Sequence, residues 1–593
     1  MGVFDLIVNA FVVTQFLPFW TPIYYVISLY IGYIVYRVVI FGYNQRRFRE
    51  RVIRKRFEQQ RNFEIAREFV NTIPSTTREQ IQRMTYEDVK RKLKNKEVTC
   101  VQVLAAVVER CLTTNILNAV NLFILDAVNV AKEWDNRASE AGFEHPPLFG
   151  IPISVKESTM VKDCAQTLGF ITRSDNKAER HSIIIQKLVE KGAIPFCVTN
   201  VPQTLLTFDC QNPIYGATKN SHLNDRTSGG SSGGEAALVG AKASFVGIGS
   251  DVGGSIRIPA HFCGVVGMKP GGTRLSRRDG IGSLPGRPLI EASDGPIGRT
   301  VQACVDILSN LIDAEMSEAD PYVPPVPWRN DIFLNGKKKM TIGYYVDDGW
   351  FEPCPAVKNA VLKAVDCLKD RGYTVVKFTP PDVATAFRIM LGGITVDGGS
   401  YLIDAVSQDI LQSGYLEVLF PFMLPYSVKM LLAYTVGLFI PRVRTMLSAL
   451  PGSTSDLRQI YAEIKDYRNR FVETMKKDNI DLILCPPNAG MAYRLGEPLK
   501  LVPTTSYSAL YNMLDFPAGV VPARFSTKED IEEMKNYKVK DFWDRLFKFS
   551  MSDPKLSSMP VCVQVVGLPY SEELVCFLMK TIEAELGQYC ESA

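Results

Sequence analysis

Residues 3–43 are overwhelmingly apolar or aromatic, with Asp5 and Arg37 their only charges. Pro18 and Pro22 divide the stretch, because proline breaks a helix interior. The second part, IYYVISLYIGYIVYRVVIFGY at 23–43, has the roughly 20 residues a helix needs to cross a hydrocarbon core of about 30 Å. Arg37 lies near its end, where a long basic side chain snorkels to the interface. Directly behind it stand Arg46, Arg47, Arg49, Arg51, Arg54, Lys55 and Arg56, a cluster of the kind that stays cytoplasmic. A secretory signal carries its positive charge before the apolar run; here it follows. The pattern predicts a membrane anchor over 1–43 with a transmembrane helix at about 23–43.

The pattern then changes. Residues 44–95 are charged and helix-prone, a basic amphipathic connector. Beyond it, helical periodicity at 101–111 and 182–191 precedes a short apolar run at 194–198, and further apolar runs fall at 340–346, 482–485 and 561–566. Strands alternating with helices predict a layered α/β sheet. With no internal repeat and no low-complexity linker, residues 96–593 read as one large domain. A second apolar stretch at 415–440 carries only Glu417 and Lys429 as charges and is punctuated by Pro421 and Pro425. Its uninterrupted part, 426–440, is too short to span a bilayer and reads as a helical hairpin.

Composition narrows the function classes. The 593 residues are 46% hydrophobic and 22% charged, which excludes a disordered or fibrous chain. Lys+Arg 67 against Asp+Glu 63 leaves +4, no global charge for nucleic acid. The four histidines show no i,i+4 pair and no Cys-x-x-Cys occurs, so neither a metal nor another cofactor is expected. Thirteen scattered cysteines, several in apolar runs as at Cys197, Cys485 and Cys562, read as reduced, buried thiols. No Asn-x-Ser/Thr acceptor occurs, which favours a catalytic part facing the cytosol.

Three segments carry chemistry. FGIPISVKE at 149–157 reads as a buried strand ending in Lys156, whose desolvation would make it a base near neutral pH. Taken alone, a snorkelled surface lysine is the commoner explanation. TSGGSSGGEAALVG at 227–240 brackets Ser231 and Ser232 with four glycines before a helix-forming run; a phosphate loop is excluded because no Gly-Lys-Ser/Thr follows. GIGSDVGGSIRIPA at 247–260 sets Ser255 after two glycines, where the backbone N–H groups from Val252 to Ser255 can converge on an oxyanion. Arg257 replaces the second glycine of a nucleophile elbow. No histidine suits a conventional triad; His222, nearest the glycine loop, reads as a loop residue. A chain Lys156–Ser231–Ser255 works physically: neutral Lys156 takes a proton from Ser231, which relays that of Ser255. Run backwards, the relay protonates a leaving amine.

GGSSGGE followed 24 residues later by Ser255, with Lys156 lying 75 residues before Ser231, resembles the amidase signature family. NVPQ at 200–203, FDCQNPIYG at 208–216, NMLDFPAGVVP at 512–522 and LPYSEEL at 568–574 resemble its membrane-bound fatty acid amide hydrolases. The resemblance implies a large mixed central sheet surrounded by helices, a helical membrane-facing cap at about 415–445 with Lys429, Arg442 and Arg444 toward lipid headgroups, and hydrolysis of fatty acid amides. It implies Ser255 as nucleophile, Ser231 as bridging serine on a cis peptide, Lys156 as base and Ser232 as a supporting hydrogen-bond partner. The oxyanion hole would be Val252, Gly253, Gly254 and Ser255, and the acyl channel would run past Leu205, Leu206, Phe208 and Thr505. A homodimer on an intracellular membrane, the endoplasmic reticulum, with the catalytic domain in the cytosol, follows from the same resemblance. Three other readings stay open. One is an amidase of other small amides. An amidotransferase-type subunit lacks an amino-terminal membrane helix. A non-catalytic lipid-binding protein need not keep all of Lys156, Ser231 and Ser255.

Overall fold

A computed structural model describes residues 21–337 and 339–587. Its first element is a single helix, Thr21–Val70, fifty residues long. Pro22 sits in the first turn, where a missing N–H costs nothing, and no proline follows until Pro74. Among the described residues, no single helix is both long and apolar enough to cross a membrane. The apolar part of this helix is recorded only over Ser28–Ile40, and the expected anchor's first twenty residues lie outside the described ones.

An eleven-stranded sheet forms the middle of the chain. Its strands are β1 (Val120–Phe123), β2 (Pro152–Lys156), β3 (Ile194–Thr199), β6 (Val246–Asp251), β7 (Val266–Lys269), β8 (Ser293–Gly298), β9 (Thr341–Tyr344), β10 (Thr374–Lys377), β11 (Leu482–Cys485), β12 (Ala518–Phe525) and β13 (Pro560–Gly567). A separate two-stranded ladder joins β4 (Gln211–Asn212) to β5 (Gly216–Ala217). The sheet order is β1-β3-β2-β6-β8-β7-β12-β13-β11-β9-β10. Strands β3, β2 and β6 run parallel, as do β11, β9 and β10, while β7, β8, β12 and β13 pair antiparallel. The sheet is therefore mixed, as expected. Strands β2, β3, β6, β11 and β13 are buried along their whole length, as strands covered by helices on both faces must be.

The exposed edge at β1 is closed by the long helix. Gln59 donates to the Val120 carbonyl, and Asn62 both donates to the Phe123 carbonyl and accepts from the Phe123 N–H. Phe63 packs on Phe123. These side chains occupy the backbone groups that an open edge would offer to another strand.

The apolar stretch after residue 414 folds as two helical arms, Tyr415–Met423 and Tyr426–Leu438, bent by 102°. Pro425 at the break forbids continuation of the first arm. The hairpin leaves Phe420, Leu431, Tyr434, Leu438 and Phe439 exposed, the last by 86%. The hydroxyl of Tyr30, on the apolar part of the long helix, donates to the Met423 carbonyl at 2.6 Å, so the two apolar segments meet.

Candidate active site

Strand β2 delivers Lys156 to the C-terminal end of the parallel strands with its side chain fully buried. Its Nζ lies 2.8 Å from Ser231 Oγ, 2.9 Å from Ser250 Oγ and 3.1 Å from the Ser250 carbonyl. A neutral amine has two N–H donors and one lone pair. The carbonyl takes one donor, so the two hydroxyls share the other donor and the lone pair. Burial pushes the amine down to about 7, against the pull of the nearby carboxylates Asp294 and Asp251. Burial therefore leaves much of this strand-end amine uncharged near neutral pH.

Ser231 follows a cis peptide bond after Gly230. A Cβ on Gly230 would run into the backbone of Asp209, so only glycine allows this approach. Ser232 opens the helix Gly233–Gly240; its hydroxyl donates to the Ser250 carbonyl and accepts from the Ser250 N–H. The Ser232 N–H donates to the Ser255 carbonyl at 3.1 Å, which sets the two glycine-rich segments side by side. Among the described residues, the Ser255 hydroxyl has no hydrogen-bond partner. The bond between Lys156 and Ser231 is closed; the one between Ser231 and Ser255 is open.

Residues 252–255 turn between β6 and the helix Arg257–Cys263. Four N–H groups were expected to face an oxyanion. The structure commits one of them elsewhere: the Gly254 N–H donates to Asp251 Oδ1 at 2.7 Å. The N–H groups of Val252, Gly253 and Ser255 have no acceptor among the described residues. Gly254 takes φ of +119°, and a Cβ there would strike the Ser508 side chain, whereas one on Gly253 would enter open space.

The anchor of this turn is Asp251, which the sequence does not advertise. It accepts from Gly254, Ile256, Arg257 and Asn512, with Arg257 gripping both oxygens at 3.0 Å. Arg257 also donates to Gln564 and Asn512. The guanidinium beside it holds the Asp251 carboxyl well below the usual carboxylate range, despite burial. Asn512 lies within the NMLDFPAGVVP run and Gln564 in the strand expected at 561–566, but their partners are hundreds of residues away. His222 contacts the Cys263 carbonyl, as a loop residue does. Among the described residues, no group of three His, Cys, Asp or Glu side chains is placed to hold a metal ion.

The expected channel residues fall into two groups. Leu205 and Leu206 join an apolar cluster with Phe170, Leu402, Tyr415 and Leu419, directly beneath the hairpin. Thr505 lies beside the turn at 252–255, since Ser508 Oγ donates to both the Thr505 carbonyl at 3.1 Å and the Gly253 carbonyl at 2.9 Å. Phe208 sits apart, edge-on to Phe262 and Tyr493 in the main core. Gln203 fixes the hairpin's entry: it donates to the Ile410 carbonyl, accepts from the Gln412 N–H, and its carbonyl takes the Tyr415 hydroxyl. The expectation that Lys429, Arg442 and Arg444 all face lipid headgroups is corrected for Arg442. That side chain is buried, paired with Asp541 at 2.8 Å and Asp544 at 2.7 Å. Lys429 is also largely buried, and only Arg444 is exposed, with its guanidinium over the Tyr434 ring.

Residues 61–576 match the family model described as Amidase. The chain belongs to the amidase signature family. It is 40% identical over 570 residues to fatty acid amide hydrolase 1 of Caenorhabditis elegans, covering 95% of this chain and 99% of that protein. It is 36% identical over 440 residues to fatty-acid amide hydrolase 1 of Sus scrofa, covering 74% and 75%. A solved fatty acid amide hydrolase superposes with a TM-score of 0.74 at 26% identity over 87% of each chain. The protein is an amidase that hydrolyses amide bonds, on the mixed α/β fold of that family.

Proposed function

We propose that this amidase is a serine hydrolase that cleaves fatty acid amides, N-acylethanolamines and primary amides among them, to the free acid and an amine at a membrane surface. The observation that carries the reading is the fully buried Lys156 amine 2.8 Å from Ser231 Oγ, with its charge suppressed by burial. Ser255 attacks the carbonyl. Its proton passes through Ser231 to Lys156, and Ser232 steadies the relay through Ser250. The gap between the two serine hydroxyls closes when substrate seats, since catalytic hydrogen bonds in unliganded enzymes are commonly long. The oxyanion is held by the free N–H groups of Val252, Gly253 and Ser255, and Gly254 contributes shape through its contact with Asp251. The returning proton goes to the amine, without which an amide leaving group departs poorly.

The acyl chain runs past Thr505 toward Leu205 and Leu206, with Phe208 behind, and its far end lies beneath the hairpin. Exposed Leu431, Leu438 and Phe439 rest in the bilayer surface, next to the apolar part of the long helix. Residues 1–43 act as the anchor, and Arg46, Arg47, Arg49 and Arg51 keep the catalytic part on the cytosolic face of an intracellular membrane, the endoplasmic reticulum. A homodimer fits the same reading.

Purified Ser255→Ala protein should hydrolyse no long-chain amide and take no fluorophosphonate label. Lys156→Ala should lose amide hydrolysis far more than ester hydrolysis, because esters need no protonated leaving group. An active, labelled Ser255→Ala enzyme refutes the nucleophile; equal loss on both substrates refutes the proton relay.

A further inference from the structure

Lys156 works only when its amine is neutral, yet two carboxylates approach it. Asp251 follows Ser250 on β6, and Asp294 stands directly across from Ser250 on the antiparallel neighbour β8. Residues directly opposite in such a pair point to the same face, so the Asp294 carboxyl shares the face of the Ser250 hydroxyl that Lys156 contacts. Each carboxylate has its own arginine. Asp251 is gripped by Arg257, which is completely buried. Asp294, 2% exposed, receives one bond from Arg277 Nη1 at 2.5 Å, and the Arg277 side chain keeps 20% of its surface in solvent. Arg277 sits outside the regular strands, on the segment between β7 and β8. That segment is tied to the end of β2, since Ile281 N–H donates to the Ser158 carbonyl and Gly280 bridges Thr159. The neutralising arginine is therefore hung on the same strand end that carries the lysine.

We propose that the Arg277–Asp294 ion pair sets the charge state of Lys156 and so fixes the pH at which this amidase becomes active. The proposal rests on Lys156 being the base. Asp294 is a positioning residue that acts on the amine through its field. Asp294 heads the charges that favour the protonated amine, followed by Asp251, with Arg277 opposing them; the nearby Cys210 thiol, pushed up to about 12 by burial, stays neutral. Glu235, on the helix after Ser231, also interacts electrostatically with Lys156 and is held by the Ser154 and Thr199 hydroxyls. Of these groups, only the Arg277–Asp294 pair joins a buried carboxylate to a partly solvated cation on a loop, so it is the one that a modest movement alters.

The signs follow from charge alone. Arg277→Gln leaves Asp294 uncompensated, favours the ammonium, and moves the acid limb of the amide kcat/KM profile upward by about one pH unit or more. Asp294→Asn leaves Arg277 uncompensated and moves the limb downward. The double variant returns it near the parent position, and Arg277→Lys holds it there. A purely structural role predicts falling rates with an unmoved limb and additive damage in the double variant. Full-length protein in detergent, assayed on one long-chain amide from pH 5.5 to 9.5 with unfolding followed in parallel, gives the answer. If Asp294→Asn fails to fold, Arg277→Gln against Arg277→Lys decides alone. Limbs that stay put in folded variants overturn the proposal while Lys156→Ala remains inactive on amides. An active Lys156→Ala enzyme instead overturns the reading beneath it.

Discussion

Replacing Lys156 with methionine should abolish amide hydrolysis and, at pH 7 and below, stabilise the protein. Burial lowers this amine from 10.5 to about 7. At about 1.4 kcal/mol per unit, the folded state gives up about 5 kcal/mol below pH 7 relative to an unperturbed lysine. The unfolded chain binds the extra proton between about 7 and 10.5, so stability rises with pH across that window and the penalty is gone above it. Methionine fills similar volume without charge, but it removes three hydrogen bonds at about 1 kcal/mol each; Ser231 Oγ is left without a partner, while the Ser250 carbonyl keeps Ser232 and Ser250 Oγ keeps Ser158. The net gain is about 2 kcal/mol at pH 6.5; near pH 9, where about 2 kcal/mol of penalty remains, the variant is about 1 kcal/mol less stable than the parent. Glu157, pushed up to about 7 by burial, titrates in both proteins and largely cancels in the difference; Glu235, also pushed up to about 7, is pulled down by the Lys156 charge and rises further in the variant, which adds its own pH dependence. Chemical unfolding of both proteins in detergent at pH 6.5, 8 and 9 measures it. A difference that does not change with pH refutes the argument, whatever its sign, because loss of a buried titrating amine must bend the curve.

Gly253→Ala should fold normally, since its Cβ meets nothing within 4 Å, whereas Gly254→Ala, at φ +119° and against Ser508, should lose a few kcal/mol; paired melting curves separate them. Arg257→Met leaves Asp251 buried and unpaired and should cost about 3–5 kcal/mol, with part recovered by adding Asp251→Asn. Leu431→Asp with Phe439→Ser should weaken binding to phospholipid vesicles in a flotation assay while leaving hydrolysis of a short, soluble amide unchanged. Retained flotation would remove the hairpin from the membrane contact.

The strands expected at 194–198, 482–485 and 561–566 are all present to within a residue or two, because short apolar runs between helical patterns leave little choice of structure. Lys156 was legible for the same reason: a charge ends an otherwise apolar strand. Its environment was not. Ser250, Asp251, Asp294 and Arg277 come from β6, β8 and the loop between β7 and β8, and their pairing follows from sheet order rather than from any local spacing. Arg257 was noticed only as the residue that spoils an elbow, although it is the partner that holds the Ser255 turn through Asp251, Asn512 and Gln564. A basic residue beside prolines and aromatics reads as surface until the tertiary fold supplies its acid, and Arg442 misled for that reason.

The unbroken run from Thr21 to Val70 also makes orientation a property of the covalent chain. From Tyr30, touching the hairpin, to Asn62, fastened to β1, the helix rises about 48 Å at 1.5 Å per residue. A rod of that length, fastened at both ends of the span and between them through Phe48, Arg54 and Arg56, transmits the tilt of its apolar end to the whole catalytic body. On the proposed reading, the mouth of the acyl path is then aimed by stiffness, and does not depend on chance tumbling at the end of a tether.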